Sequence, residues 1–329
     1  MKQFFKRLIA GLGIGAGAAI PGVSGAAIAL ILHVYEDIIE AVNSFRKKFG
    51  WSIKVLIPIL IGILIAVVIC IKLFSLAFEY CMFALIALFA GFLVGSFPGI
   101  KDEVKDVKIG KKHIISSICG AIFVITLGVL SVVIGLSGIS VAEAFESMPI
   151  WLYFVLIPVG AVAAVALTVP GLSGSLILLI IGFYRPLMDS ASNWAEEILG
   201  VGGHAQSWAH FPQLLGMIGC FAVGCLIGVV LVSKIMTILL KKFHDVTYFA
   251  IMGFIIGSIF VLFFNYDIFN YYRVWAGVAI EGINPVMPMY IEMPVSLLIF
   301  GVSFFLSYLL VRYNRKANQN EENSEPIEQ

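Results

Sequence analysis

The sequence predicts an all-α polytopic membrane protein built as an inverted repeat, each half one re-entrant helical hairpin plus three transmembrane helices. Three observations carry that expectation. Hydrophobic residues fill 60% of the 329 positions and charged residues only 12%, with a mean hydropathy of +1.03, far from soluble domains. A short phrase, Pro-Gly-x-Ser-Gly, occurs twice, at 21–25 and 170–174. Lys and Arg, finally, cluster in a few connecting segments rather than spreading along the chain.

Taken in order, the first repeat occupies 1–137 and opens with a hairpin at 8–40. Lys2, Lys6 and Arg7 before Leu8 give this start the look of a signal peptide, but no cleavable polar region follows, so it is expected to stay in the mature protein. Pro21-Gly22 breaks the apolar run, and the arm from Leu8 to Ile20 reaches only about 20 Å of a ~30 Å hydrocarbon core. The hairpin therefore enters and turns back. Spans are expected at about 53–71, 80–98 and 113–136, then an outside linker at 138–151.

The second repeat, 152–312, copies this plan: a hairpin at 152–185 broken at Pro170, then spans at about 213–232, 248–264 and 293–311. Pro21, Gly22, Ser24, Gly25, Ile28 and Tyr35 match Pro170, Gly171, Ser173, Gly174, Ile177 and Tyr184 at an offset of 149, and Gly11 matches Gly160. Further on, Gly62, Gly91, Phe92, Gly95 and Ser96 match Gly224, Gly253, Phe254, Gly257 and Ser258 at an offset of 162. Three spans per repeat is an odd number, so the second copy is expected upside down relative to the first, with the site near the midplane. The tail at 313–329 is polar and acidic and is expected to be disordered on the cytoplasmic side.

Charge tests the topology. With both termini cytoplasmic and both hairpins returning to their starting side, 18 of the 21 Lys and Arg residues fall inside, leaving Lys72, Arg185 and Arg273 outside. Full-length hairpins would preserve the same bias, so charge leaves their depth open. The aromatic residues Trp194, Trp208, Tyr266, Tyr271, Tyr272 and Trp275 read as interfacial anchors. Cys70, Cys81, Cys119, Cys220 and Cys225 are odd in number and form no CxxC pair, which argues against a disulfide framework or a metal site. No cofactor and no nucleic-acid partner is expected.

The repeated phrase has a chemistry. A helix that starts inside the membrane aims unsatisfied N–H groups and the positive end of its dipole into the break. Gly22, Val23, Ser24 and Gly25, with Gly171, Leu172, Ser173 and Gly174, are expected to offer such groups, and Ser24, Thr168, Ser173 and Ser175 add hydroxyl donors. Two facing helix starts would suit an anion, phosphate above all. A capped turn with no ligand is the plainer alternative. Arg185 is expected at the outer headgroup level, attracting a lipid phosphate, while its repeat counterpart Glu36, with Asp37, discourages rebinding inside; Tyr35 and Tyr184 flank them. Ordinary snorkelling charges at helix ends carry comparable weight. A proton or sodium ion is a candidate coupling ion, with Glu36, Asp37, Glu79 and Asp189 as candidates by charge alone.

Gly22-Val23-Ser24-Gly25 and Gly171-Leu172-Ser173-Gly174 also look like the GxSG of rhomboid-type intramembrane serine proteases. Such a serine needs a histidine in hydrogen-bond reach, and none is evident: His33 lies ~13 Å along the same helix, and His113 and His244 fall at membrane edges. An intramembrane serine hydrolase is thus the minor reading.

Over nearly the whole chain except the acidic tail, the sequence resembles a bacterial membrane family catalogued as domain of unknown function 368, regarded as polyprenyl-phosphate transporters. The resemblance rests on Pro21-Gly22-Val23-Ser24-Gly25 with Ile28-Ala29-Leu30 and Tyr35-Glu36, and on Pro170-Gly171-Leu172-Ser173-Gly174-Ser175 with Gly182-Phe183-Tyr184. The family pattern continues its first motif Gly-Gly-Thr and has Gly before the Tyr; here Ala26, Ala27 and His33 stand instead, removing one hydroxyl. What the resemblance implies is a transporter, not an enzyme, in the bacterial cytoplasmic membrane. Its cargo would be undecaprenyl phosphate, a polyprenyl-phosphate lipid of cell-wall synthesis, moved from the outer to the inner leaflet of the bilayer for reuse. A transporter of a small soluble anion such as phosphate is the runner-up.

Overall fold

The structure, a computed structural model, describes residues 2–20, 23, 25–136, 141–164, 174–201, 206–264, 266–280 and 285–322. Among these the regular elements are all α-helices, as expected of a chain whose backbone must be satisfied within each segment when water is absent. In chain order they are α1 (Lys2–Ala19), α2 (Gly25–Ile31), α3 (Tyr35–Asn43), α4 (Phe49–Tyr80), α5 (Met82–Asp102), α6 (Lys111–Leu136) and α7 (Val141–Ser147). Then follow α8 (Ile150–Ala163), α9 (Gly174–Ile180), α10 (Tyr184–Leu199), α11 (Phe211–Leu262), α12 (Tyr266–Trp275) and α13 (Met289–Glu322).

Six stretches among the described residues are long and apolar enough to cross a membrane: α4, α5, α6, α13 and the two halves of α11. α11 is two helices that meet at a kink at Phe243 (φ −136°, ψ 41°), inside the segment expected as a connecting loop, and each of its halves supplies one crossing. α13 runs on to Glu322, into the tail expected to be disordered. α10 replaces the outside loop expected after Arg185, and its amphipathic face explains why it was overlooked as an apolar run. The anchor reading fails for two aromatics. Trp194 is buried, stacked on His210 with centroids 5.9 Å apart, and Tyr271 is fully buried, whereas Trp208 is exposed.

Glycine sets the closest helix contacts, and those contacts recur. A Cβ on Gly11 of α1 would collide with the Ile59 carbonyl of α4, and one on Gly62 with the Leu8 carbonyl; Gly160 of α8 and Gly224 of α11 meet the Phe221 and Ile157 carbonyls in the same way. The pairs are related by the offsets of 149 and 162. A second set crosses between the halves of the chain. Gly91 and Gly95 of α5 lie against Phe300 and Phe304 of α13, and their counterparts Gly253 and Gly257 of α11 lie against Ser117 and Ala121 of α6. Small residues bring helices together where lipid gives no hydrophobic push.

The turns after α2 and α9 also match. Val34 N–H donates to the Ala29 carbonyl at 3.0 Å, and Phe183 N–H to the Leu178 carbonyl at 2.9 Å, each closing its helix through a left-handed residue. That residue is Gly182 (φ 79°) in the second half and His33 (φ 52°) in the first. His33 thus stands, exposed, at a position that glycine fills at no steric cost. The main core lies beside α9. Phe74, Phe78, Phe89 and Leu93 of α4 and α5 pack there with Leu178, Leu179, Ile180 and Tyr184.

Candidate functional site

α1 ends at Ala18-Ala19, just before the first Pro-Gly, and α8 ends at Ala163-Ala164, upstream of the second. Both ends line one cavity of about 290 Å³. Its walls come from Val67, Ile71 and Phe74 of α4, Leu178 of α9, Tyr184 and Met188 of α10, and Phe221 and Cys225 of α11. Four alanines leave the space open. The polar groups on its wall are few, and the Tyr184 hydroxyl is already used: it donates to the Ala19 carbonyl at 3.3 Å, tying the second half of the chain to the last residue of α1. The Tyr184 ring is fixed by Phe74, Phe78 and Phe89, with centroids 5.9–6.4 Å away.

α10 turns a second face to a polar chamber, also of about 290 Å³. Residues 184 and 188 line the apolar cavity, and 185 and 189, one position on, line the polar one, as neighbouring i, i+4 pairs on a helix must. Arg185 Nε lies 3.4 Å from the Asp189 carboxylate, with Ser75, Glu79, Glu146 and Asn193 around them. Beside it Lys72 pairs with Glu196 at 2.5 Å. Burial pushes the Asp189 carboxyl above the usual range, opposed by a Ser75 hydrogen bond and the Arg185 charge and reinforced by Glu79. Arg185 is therefore held in an acidic setting.

The first half is built differently. Tyr35 is 38% exposed where Tyr184 is 2%, and Tyr35 and Glu36 line a shallow cleft with Glu40 and Lys47. Asp37 is paired with Arg7 at 3.0 Å, and Arg7 also donates to the Lys54 carbonyl, pinning α3 to the start of the chain. Of the expected phosphate ligands, Pro21, Gly22, Ser24, Thr168, Pro170, Gly171, Leu172 and Ser173 lie outside the described residues. Val23 is half-buried and its N–H donates to the Ile20 carbonyl at 3.2 Å, Gly25 opens α2, and Gly174 and Ser175 open α9.

Sequence reasoning passed over Glu292. It is fully buried at the start of α13, accepts the Tyr271 hydroxyl at 2.6 Å, and receives the Ala84 N–H of α5's first turn at 3.4 Å. A carboxylate there complements the positive end of α5. The signal was present as an acid set flush against the last apolar run. His113 is a structural residue: Gly110 N–H donates to its Nδ1 at 3.0 Å and its ring stacks on Phe249. Among the described residues no group of three His, Cys, Asp or Glu side chains is placed to hold a metal.

Six helical stretches long and apolar enough to cross a membrane, two of them lining the cavity that collects the ends of α1 and α8, define a multi-pass helical membrane protein. The family model of VCA0040-like, undecaprenyl phosphate translocase-like proteins matches residues 14–277, and the chain belongs to that family. It is 26% identical over 271 residues to a polyprenyl-phosphate transporter of Vibrio cholerae serotype O1, covering 78% of this chain and 77% of that one. A polyprenyl-phosphate transporter of Staphylococcus aureus is 28% identical over 266 residues, 80% of this chain and 88% of the relative. No solved structure matches.

Proposed function

We propose that the protein is a transporter that carries undecaprenyl phosphate from the outer to the inner leaflet of the bacterial cytoplasmic membrane, returning the lipid to cell-wall synthesis. The observation that carries the reading is the shared cavity: the helices that end before each Pro-Gly-x-Ser-Gly both line it, and Tyr184 of α10 is tied to the end of the first of them at Ala19. Membership in the translocase-like family supports the substrate class. The headgroup carries about −1.5 to −2 charge and is excluded from hydrocarbon, so it needs donors along its path. In this reading the two motifs are the tips of re-entrant hairpins entering from opposite faces of an inverted repeat, and their N–H groups and hydroxyls at Ser24, Thr168, Ser173 and Ser175 hold the phosphate. The glycine contacts repeated at constant offsets support the repeat. Both termini lie on the cytoplasmic side.

Arg185 receives the headgroup outside in exchange for its Asp189 partner, and Glu36 repels it inside. A proton or sodium ion couples through Asp189, which lines the polar chamber beside Arg185 and whose carboxyl burial raises above the usual range. The two motifs serve binding rather than serine hydrolysis. The test is competition for labelled prenyl phosphate on the purified protein in nanodiscs. Undecaprenyl phosphate should displace it and inorganic phosphate should not at a thousandfold excess; equal displacement by inorganic phosphate would favour a soluble-anion transporter instead.

A further inference from the structure

We propose that the apolar cavity between α1, α4, α8 and α11 is a selectivity subsite that grips the isoprene units next to the phosphate, and so admits a single branched prenyl chain while refusing two-chain phospholipid phosphates. This rests on the lipid-phosphate reading above. The cavity's position fits the claim: Ala18-Ala19 and Ala163-Ala164 end the helices that precede the two motifs in sequence, and Leu178 lies in the helix that Gly174 opens. Its chemistry fits as well. Among the described residues the walls are alkyl, aromatic and thiol groups, and the Tyr184 hydroxyl is turned to the Ala19 carbonyl, so these side chains offer no charge to a headgroup.

Hydrophobicity alone gives no preference, because lipid tails are as apolar as the wall. Shape must do the selecting. A space of about 290 Å³, walled by alanine methyls and by fixed rings such as Phe74, takes one chain and excludes a second. An outlet for the rest of the tail is present. Val67 and Ile71 of α4 and Phe221 and Cys225 of α11 are only half-buried, and beside them Val68, Ile69, Val223 and Leu226 are exposed to the outside of the bundle. The remaining isoprenes can trail into lipid between α4 and α11 while the proximal units stay gripped.

The experiment uses the full-length protein in proteoliposomes with a geranylgeranyl phosphate that carries a photoreactive diazirine on the isoprene next to the phosphate. Competable crosslinks are expected on peptides holding Phe74, Met188 and Phe221, and phosphatidic acid should compete about tenfold less well than prenyl phosphate. Ala18→Phe, which fills the cavity, should cut that labelling about tenfold, and Ile122→Phe on the exposed face of α6 should leave it unchanged. Phe221→Ala, which enlarges the cavity, should narrow the preference against phosphatidic acid. Prenyl-phosphate transport that persists with crosslinks confined to outer faces, or in Ala18→Phe at full rate, would overturn the subsite and spare the transporter reading. Absence of both competable labelling and transport would overturn both.

Discussion

Replacing Gly160 by alanine tests the helix contacts on which the two halves are built. Its Cβ would collide with the Phe221 carbonyl, where ordinary contact begins at 3.4 Å, and the obstacle is backbone, which has no rotamer to yield. α8 and α11 must then part by roughly 1 Å, and a gap of that size forfeits a quarter to a half of each dispersion contact along the interface. With about 0.1–0.2 kcal/mol per atom pair, the loss is about 1–3 kcal/mol, the usual range for overpacking. Gly11→Ala, the counterpart in the first half, should lose a similar amount against Ile59. Gly219→Ala and Gly301→Ala face open space and are the controls. The assay is the thermal unfolding midpoint of each purified variant in one detergent. If Gly160→Ala and Gly11→Ala melted with the controls, the close packing described here would be wrong.

Other perturbations have equally definite outcomes. His33→Gly should raise stability by about 1 kcal/mol, because the left-handed backbone there penalises any side chain, and Gly182→Ala should lower it by a similar amount; chemical denaturation reads both. Tyr184→Phe should lose about 0.5–1.5 kcal/mol with the bond to Ala19 and alter the transport rate, since it unties α10 from the end of α1; an unchanged rate would remove Tyr184 from gating. Glu292→Leu removes the acceptor of the Ala84 N–H and leaves the Tyr271 hydroxyl only the Tyr80 carbonyl at 3.5 Å, and should destabilise by about 1–3 kcal/mol, seen as a lower melting midpoint. Burial raises Asp189 above the ordinary aspartate range, so the folded state holds a proton that the unfolded state has released; stability should fall as pH rises from that range through the raised value, and Asp189→Asn should flatten the decline.

Membrane class and six candidate crossings were legible because they depend on composition and on the lengths of apolar runs, which survive without coordinates. The pairing of Gly11 with Ile59, and of Gly160 with Phe221, was not legible, since a repeat shows that two contacts match but not which surfaces touch. α10 escaped for a different reason: its polar residues resemble a loop when hydropathy alone is read, although it is an amphipathic helix, and the connection at Phe243 is a kink between two helices where a longer polar loop was expected. The acidic surroundings of Arg185 were not legible because they come from α4 and α7 as well as from its own helix. Tyr184 was noticed as a motif neighbour, and its role as a bridge to Ala19 needed the fold.

The central claim is that the paired motifs carry a lipid phosphate across the membrane. It is tested most directly by reconstituting the protein in liposomes that hold undecaprenyl phosphate and timing its passage between leaflets. The account predicts protein-dependent passage that falls at least about tenfold in the Ser24→Ala, Ser173→Ala double variant, because hydrogen bonds to a charged group contribute about 1.5–3 kcal/mol. Passage no faster than in protein-free liposomes would contradict it.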